Sequence, residues 1–392
     1  MLNKHHQRSN DLPEPGADAI AHSQRLTKLI QTEIAIQGAL SFARFMELAL
    51  YAPGLGYYSA GTHKFGIGGD FITAPDLSPL FAQCVARQCA QVLTFLKGGD
   101  ILEFGAGSGN LAADILLSLA EQKILPEHYF ILEISADLRQ RQQACLAHRA
   151  PQWLDRVVWL ETLPTTFRGV VLANEVLDAM PVHRFKIHQE EIQEYFIAFT
   201  NDAFAWRLQK TTNPRLLQHI QALEVALAEG YESEINLTMA PWLASINAFL
   251  QQGLILLIDY GFPRHEYYHP QRDSGTLMCH YQHRAHSNPL ILLGLQDITA
   301  HIDFTQVAET ADELGLEVAG FTNHASFLLS CGLLELSALT SNDPATQWTT
   351  SQQIKMLTLP SEMGELFKVM ALTRDLPTPL LGFTLLDLCS RL

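Results

Sequence analysis

LEFGAGSGNLAADILLSLA, running from Leu102 to Ala120, is the stretch that decides the fold of this 392-residue chain. An apolar run, residues 101–104, ends in Glu103-Phe104, and the turn Gly105-Ala106-Gly107-Ser108-Gly109 follows it. Beyond the turn, Leu111, Ile115, Leu116 and Leu119 recur at the steps of a helix with one buried face. Glycines without a Cβ permit the tight turn and let a ligand come close to the backbone, while the helix N-terminus offers free amides.

Working outward, four more short apolar segments punctuate the chain: 129–134 (YFILEI), 157–160 (VVWL), 170–173 (VVLA) and 254–258 (LILLI). Each is bounded by turn residues or by an acid at its carboxyl end, which is the rhythm of strands buried on both faces of a parallel sheet. Residues 316–321 (LEVAGF) and 366–372 (LFKVMAL) bring the expected sheet to seven strands. About eighty residues separate the fourth segment from the fifth, too many for a simple crossover. They hold alternating patterns at 185–187 and 195–199, then helical ones at 216–227 and 242–250. The expected architecture is therefore α/β: a seven-stranded Rossmann-like core with a helical N-terminal region and an inserted α+β subdomain. Its boundaries read as a disordered 1–20, a helical lid region 21–98, a core made of 99–175 and 251–375, an insert 176–250, and a tail 376–392. Ser78-Pro79 marks a helix start within the lid region.

Composition narrows the partners. With 26 Lys and Arg against 41 Asp and Glu, the net charge is −15, and no basic cluster offers a phosphate-neutralising stripe. A nucleic-acid duplex is a poor substrate for such a surface. The six cysteines (Cys84, Cys89, Cys145, Cys279, Cys331, Cys389) form no CxxC pair and read as reduced core residues. No apolar run reaches the length of a membrane span, and the N-terminus MLNKHHQRSNDLPEPGADAI has neither a signal-peptide core nor an amphipathic presequence. These features predict a cytoplasmic protein.

The site reading starts from the turn. A dinucleotide fingerprint would place glycine at the sixth loop position, which here is Asn110. An acid directly before the loop, Glu103, is also not what a pyrophosphate seeks, whereas the cationic methionine portion of S-adenosylmethionine tolerates a carboxylate. Glu133, at the end of the second strand, stands where an acid can accept both ribose hydroxyls. The expected cofactor-binding set is Glu103, Gly105, Ala106, Gly107, Ser108, Gly109, Glu133 and Asn174, with Glu161 a weaker candidate at the adenine edge or simply a surface acid. At the end of the fourth strand, Asn174-Glu175 is followed by Asp178 and by Arg184. Methyl transfer from a sulfonium needs chiefly alignment and desolvation of the acceptor. Were the acceptor a guanidinium, Glu175 and Asp178 could orient it and hold its charge. Alternatively Asp178 caps a helix, or Arg184 pairs with one of the acids. The Asn-Pro-Pro-aromatic arrangement expected for base or glutamine nitrogens is absent.

Several blocks resemble the MidA-like methyltransferase family: Gly56-Tyr57-Tyr58, FGIGGDFITAPDLSPLF from Phe65, LEFGAGSG from Leu102, NEVLDAMPVHRF from Asn174, IDYGF from Ile258 and QDITAHIDFT from Gln296. The resemblance runs over residues 20–374. It implies a seven-stranded class I methyltransferase fold and S-adenosylmethionine as cofactor. For the mitochondrial members, which are complex I assembly factors, it implies symmetric dimethylation of an arginine on the 49 kDa subunit. The corresponding partner here would be the homologous NADH dehydrogenase subunit, a protein substrate. Beside this frame, Thr73, Ala74, Pro75 and Asp76 read either as part of a lid over the cofactor or as a plain turn and helix cap. Tyr260 could stack on substrate, with Asp259 beside it. Asp297, His301 and Asp303 are candidates for acceptor-side contacts, although Asp303 also suits the cap of a helix starting near Phe304. His280, His283 and His286 lack the preorganisation of a tetrahedral metal site, so no metal is expected. The leading reading is a protein arginine methyltransferase with Asn174, Glu175 and Asp178 at the reacting centre. Behind it stand an assembly chaperone that binds S-adenosylmethionine with little or no turnover and, opposed by Asn110 and Glu103, a nicotinamide-dependent oxidoreductase.

Overall fold

A computed structural model describes residues 12–60, 73–339, 343–377 and 379–392 of the chain. It gathers into two compact units. The core unit is assembled from 72–177, 240–263 and 303–392, and the insert unit from 1–71, 178–239 and 264–302.

Seven strands of the core unit are β1 (Asp100–Phe104), β2 (Tyr129–Leu132), β3 (Val157–Leu160), β4 (Phe167–Asn174), β5 (Leu250–Phe262), β6 (Glu317–Asn323) and β7 (Phe367–Arg374). They lie side by side in the order β6-β7-β5-β4-β1-β2-β3. β1 through β5 pair in parallel, and β7 runs antiparallel to both β5 and β6. The near-continuous apolar runs of the sequence have their physical cause here, since Leu254, Ile255, Leu256 and Leu257 are all fully buried and only a strand covered on both faces buries consecutive side chains. Helix α1 (Pro79–Leu96) starts as the sequence predicts, with the Ser78 hydroxyl accepting from the Leu80 amide at 3.3 Å. It joins α2 (Asn110–Glu121) in the main apolar core, where Phe81, Val85, Ile115 and Leu119 are fully buried. Helix α3 (Ala136–Arg149) follows β2. Strand order reverses between β1 and β4, which opens a crevice at their carboxyl ends, the customary ligand position in such sheets.

The insert unit is antiparallel. Leu40–Ser41, Glu191–Thr200, His183–His188 and Glu232–Ile235 form one sheet, and Ala203–Lys210 pairs on Glu191–Thr200. A smaller sheet sets Met278–Tyr281 between Arg284–His286 and Asp297–Thr299. Helices Ala17–Gln37 and Phe42–Tyr51 supply Leu26, Ile30, Phe42, Phe45 and Met46 to the apolar core of this unit.

These divisions differ from the boundaries expected above. The lid region 21–98 is split, because Leu40–Ser41 extends the insert's sheet while α1 belongs to the core. The insert reaches beyond 176–250 to include 264–302. The first helix begins at Ala17, inside the stretch expected to be disordered, and residues 1–11 of that stretch lie outside the described residues. Residues 65–72 of the quoted glycine-rich block lie outside them as well. The tail buries Leu380 and Phe383 against the core unit, so it is part of that core. Among the described residues, no helix is long and apolar enough to cross a membrane.

Candidate methyl-donor site

The glycine turn leaves β1 with Gly105, Gly107 and Gly109 all at positive φ (63°, 52° and 84°), a region costly for residues with a Cβ. The Gly105 amide donates to the Leu132 carbonyl at 3.1 Å, tying the ends of β1 and β2 together. At Gly109 a Cβ would sit 3.0 Å from Gln142 Cα. Gln142, fully buried on α3, proves central to the turn and was missed by the sequence reading. Its Nε2 donates to the Gly107 carbonyl at 3.2 Å and to Glu133 Oε2 at 2.9 Å, while its Oε1 accepts from the Trp159 indole at 3.1 Å. Glu133 Oε1 accepts from the Ser135 amide at 2.8 Å. One buried amide side chain therefore couples the turn to the acid at the end of β2. The available signal was a glutamine on the same helical stripe as Leu138 and Leu146.

Glu103 stands differently from its neighbours. It is buried within the sheet and accepts from the Tyr129 hydroxyl at 2.8 Å. Burial pushes its carboxyl up to about 7, against the Tyr129 hydrogen bond, and the nearby Glu133 charge adds to the rise. It is a buried acid of the sheet rather than an exposed charge. Glu161 is exposed and lies 3.8 Å from Arg139, the surface-acid alternative.

Asp76 meets the turn from the other side. The short helix Ala74–Leu77 carries it, and its Oδ1 accepts from both Ser108 Oγ and Asn110 Nδ2, each at 2.8 Å. Thr73 Oγ1 donates to Asp76 Oδ2 at 3.1 Å instead of capping the helix. Asn110 Oδ1 accepts from Arg149 at 2.6 Å, and Arg149 also pairs with Asp114 at 2.5 Å. Burial raises the Asp114 pKa, and the Arg149 charge opposes that rise.

At the carboxyl end of β4, Glu175 is a non-glycine residue in the left-handed region, φ 53°. Such conformations persist only where the surroundings impose them. Asp259, fully buried at the end of β5, does so: its Oδ2 accepts from the amides of Val176 (3.2 Å) and Leu177 (2.9 Å), and its Oδ1 from Tyr260 (2.8 Å). The Glu175 amide donates to the Ile258 carbonyl at 2.9 Å. Asn174 Nδ2 donates to Glu175 Oε1 at 3.1 Å, and Asn174 Oδ1 is buried and accepts no hydrogen bond from the described residues. The Tyr260 ring packs on Phe367, centroids 3.8 Å apart.

The remaining predicted residues divide between the units. Asp178 begins the second stretch of the insert unit, where its carbonyl accepts from the Ala300 amide at 2.9 Å. Arg184 pairs with Glu232 at 2.8 Å and lies over the rings of Tyr195 and Trp206. Asp297 is buried and accepts from the Tyr58 hydroxyl at 3.0 Å. Burial, then the Asp297 charge, pushes Tyr58 well above its usual pKa. The His301 amide donates to Thr276 Oγ1 at 3.0 Å. Asp303 is the N-cap of helix Phe304–Glu313, accepting from the amides of Thr305 and Gln306. That geometry matches the capping alternative. His280 and His286 lie on adjoining strands with Cys279 opposite His286.

A doubly wound sheet with a glycine turn after β1, an acid after β2 and no glycine at position 110 fits a class I S-adenosylmethionine-dependent methyltransferase, the fold its structural relatives share. Residues 84–322 match the family model described as "Putative S-adenosyl-L-methionine-dependent methyltransferase", and the chain belongs to this MidA-like family. A superfamily member from Burkholderia thailandensis, described as a "likely methyl transferase" and crystallised with S-adenosyl-homocysteine, is 41% identical with a TM-score of 0.94 over 97% of this chain and 100% of that one. Among curated relatives, the protein arginine methyltransferase NDUFAF7, mitochondrial, of Danio rerio is 26% identical over 88% of this chain and 86% of its own. The Drosophila melanogaster NDUFAF7 homolog, mitochondrial, is 27% identical over 92% and 87%. S-adenosylmethionine is the methyl donor of this enzyme. The cytoplasmic placement expected from the sequence is corrected by these names: the curated relatives are mitochondrial proteins.

Proposed function

We propose that the enzyme transfers the methyl group of S-adenosylmethionine to an arginine of a protein, with a 49 kDa-type subunit of NADH dehydrogenase as the candidate. The observation that carries this reading is the set of curated relatives named protein arginine methyltransferase, matched along more than four-fifths of this chain. In this reading the Gly105–Gly109 turn and Glu133 hold the donor, and Gln142 orients Glu133. Asn174 and Glu175 face the reacting centre, where the buried acceptor Asn174 Oδ1 suits a guanidinium N–H. A guanidinium nitrogen attacks the methyl carbon, the carbon–sulfur bond breaks to leave S-adenosyl-homocysteine, and the nitrogen loses a proton toward a carboxylate. Glu175 is the candidate for that carboxylate. On the acceptor side, Tyr260 is the proposed contact. Asp259 and Asp303 act by holding backbone.

The test is incubation of the purified enzyme with isotopically labelled donor and the NADH dehydrogenase subunit, followed by mass spectrometry of its arginines. Labelled methylarginine that disappears with Glu175→Ala, while S-adenosyl-homocysteine binding persists, is the expected result. Label on a different residue type would remove the arginine reading and leave the methyltransferase.

A further inference from the structure

The polar contacts around Asp76 fix a negative charge on the glycine turn. Asp76 Oδ1 is held by Ser108 Oγ and Asn110 Nδ2, and Oδ2 by Thr73 Oγ1. Asn110 cannot easily turn its amide away, because Arg149 takes its Oδ1 at 2.6 Å while Asp114 anchors Arg149. Ser108 precedes the N-cap of α2 and Asn110 opens the helix, whose free amides and dipole draw anions. In dinucleotide-binding folds a pyrophosphate takes that place. Here a carboxylate of the chain itself lies against it. A carboxylate offers about four acceptor positions. Three are used, and half-buried Asp76 keeps room for one more donor.

We propose that Asp76 is the residue that selects the donor: its carboxylate receives the protonated α-amino group of the methionine end of S-adenosylmethionine and turns away nucleotides that carry phosphate. The inference rests on the reading of the glycine turn as the donor site. It also accounts for Asn110, whose side-chain amide does work at that position that glycine could not.

Calorimetry with three probes tests it without any acceptor. S-adenosyl-homocysteine carries the amino-acid end, 5′-methylthioadenosine has the same nucleoside and thioether without it, and ADP-ribose supplies a pyrophosphate. Asp76→Asn should weaken S-adenosyl-homocysteine about tenfold or more, the range of a charge-assisted hydrogen bond. It should change 5′-methylthioadenosine by less than about twofold and tighten ADP-ribose, as expected when one like charge is removed. Equal weakening of S-adenosyl-homocysteine and 5′-methylthioadenosine by Asp76→Asn would make Asp76 a mere strut and overturn the proposal, as would an ADP-ribose affinity that does not rise. A wild-type protein that binds neither adenosine thioether would instead overturn the donor-site reading, and the proposal with it.

Discussion

Replacing Glu103 with Gln should make the enzyme more stable at neutral pH, and the size of the gain follows from burial. In the unfolded chain this carboxyl titrates near 4.5, whereas in the folded one it is pushed up to about 7. A raised pKa means that the folded state holds the proton more tightly. The stabilisation linked to that proton is fully present below about pH 4.5 and is lost as pH rises through about 7. The interval of about 2.5 units, at 1.36 kcal/mol each, amounts to about 3 kcal/mol. Gln is neutral throughout, is nearly isosteric, and its carbonyl can still accept from Tyr129. The melting temperatures of wild type and Glu103→Gln should therefore nearly coincide at pH 4.5 and separate in favour of the variant by about 5 °C at pH 8, by the usual conversion for large domains. Thermal unfolding of the two proteins side by side across that pH range measures the gap. Two curves that stay parallel would refute the reasoning, since Glu103 would then titrate alike in both states.

Gln142→Leu keeps the volume of the side chain but removes its bonds to Glu133, Gly107 and Trp159. S-adenosyl-homocysteine affinity should fall about tenfold by calorimetry, the cost of leaving buried polar partners unmatched. An unchanged affinity would remove Gln142 from the site. Asp259→Asn puts an N–H group among three backbone amides that now share one carboxylate. A loss of about 2 kcal/mol in chemical denaturation is expected, together with a methyl-transfer rate at least about tenfold lower and nearly unaltered donor binding. Normal turnover would show that the left-handed Glu175 does not depend on this support.

The sheet was legible because its strands are buried on both faces and read as bare apolar runs. All seven expected segments became strands in one sheet, with ends displaced by a few residues, as at 254–258 inside Leu250–Phe262. Unit boundaries were not legible. The insert's sheet takes its edge from Leu40–Ser41, two residues with no periodicity of their own, which pair with Ile197 and Phe196 far along the chain. At the site, residues at strand ends could be named in advance because the fold places ligands there. What they do could not. Asp259 looked like an acceptor contact and instead gathers backbone amides, and Asp303 spends its carboxylate on a helix cap. Gln142 and Arg149 reach the turn from α3 through tertiary contacts, which leave no local pattern to read.

The place of β7 has a consequence for how the chain is made. Of the seven strands, β7 comes last in chain order yet is an interior one, lying between β5 and β6. A growing chain that has reached residue 366 holds β6 with no neighbour to pair and β5 with one edge bare. Pairings between segments distant in sequence are slow to form, and unpaired strand edges invite association with other chains. The sheet of the core unit therefore cannot close until β7 has been made, and a chain cut before residue 367 loses the seam of the sheet rather than a border.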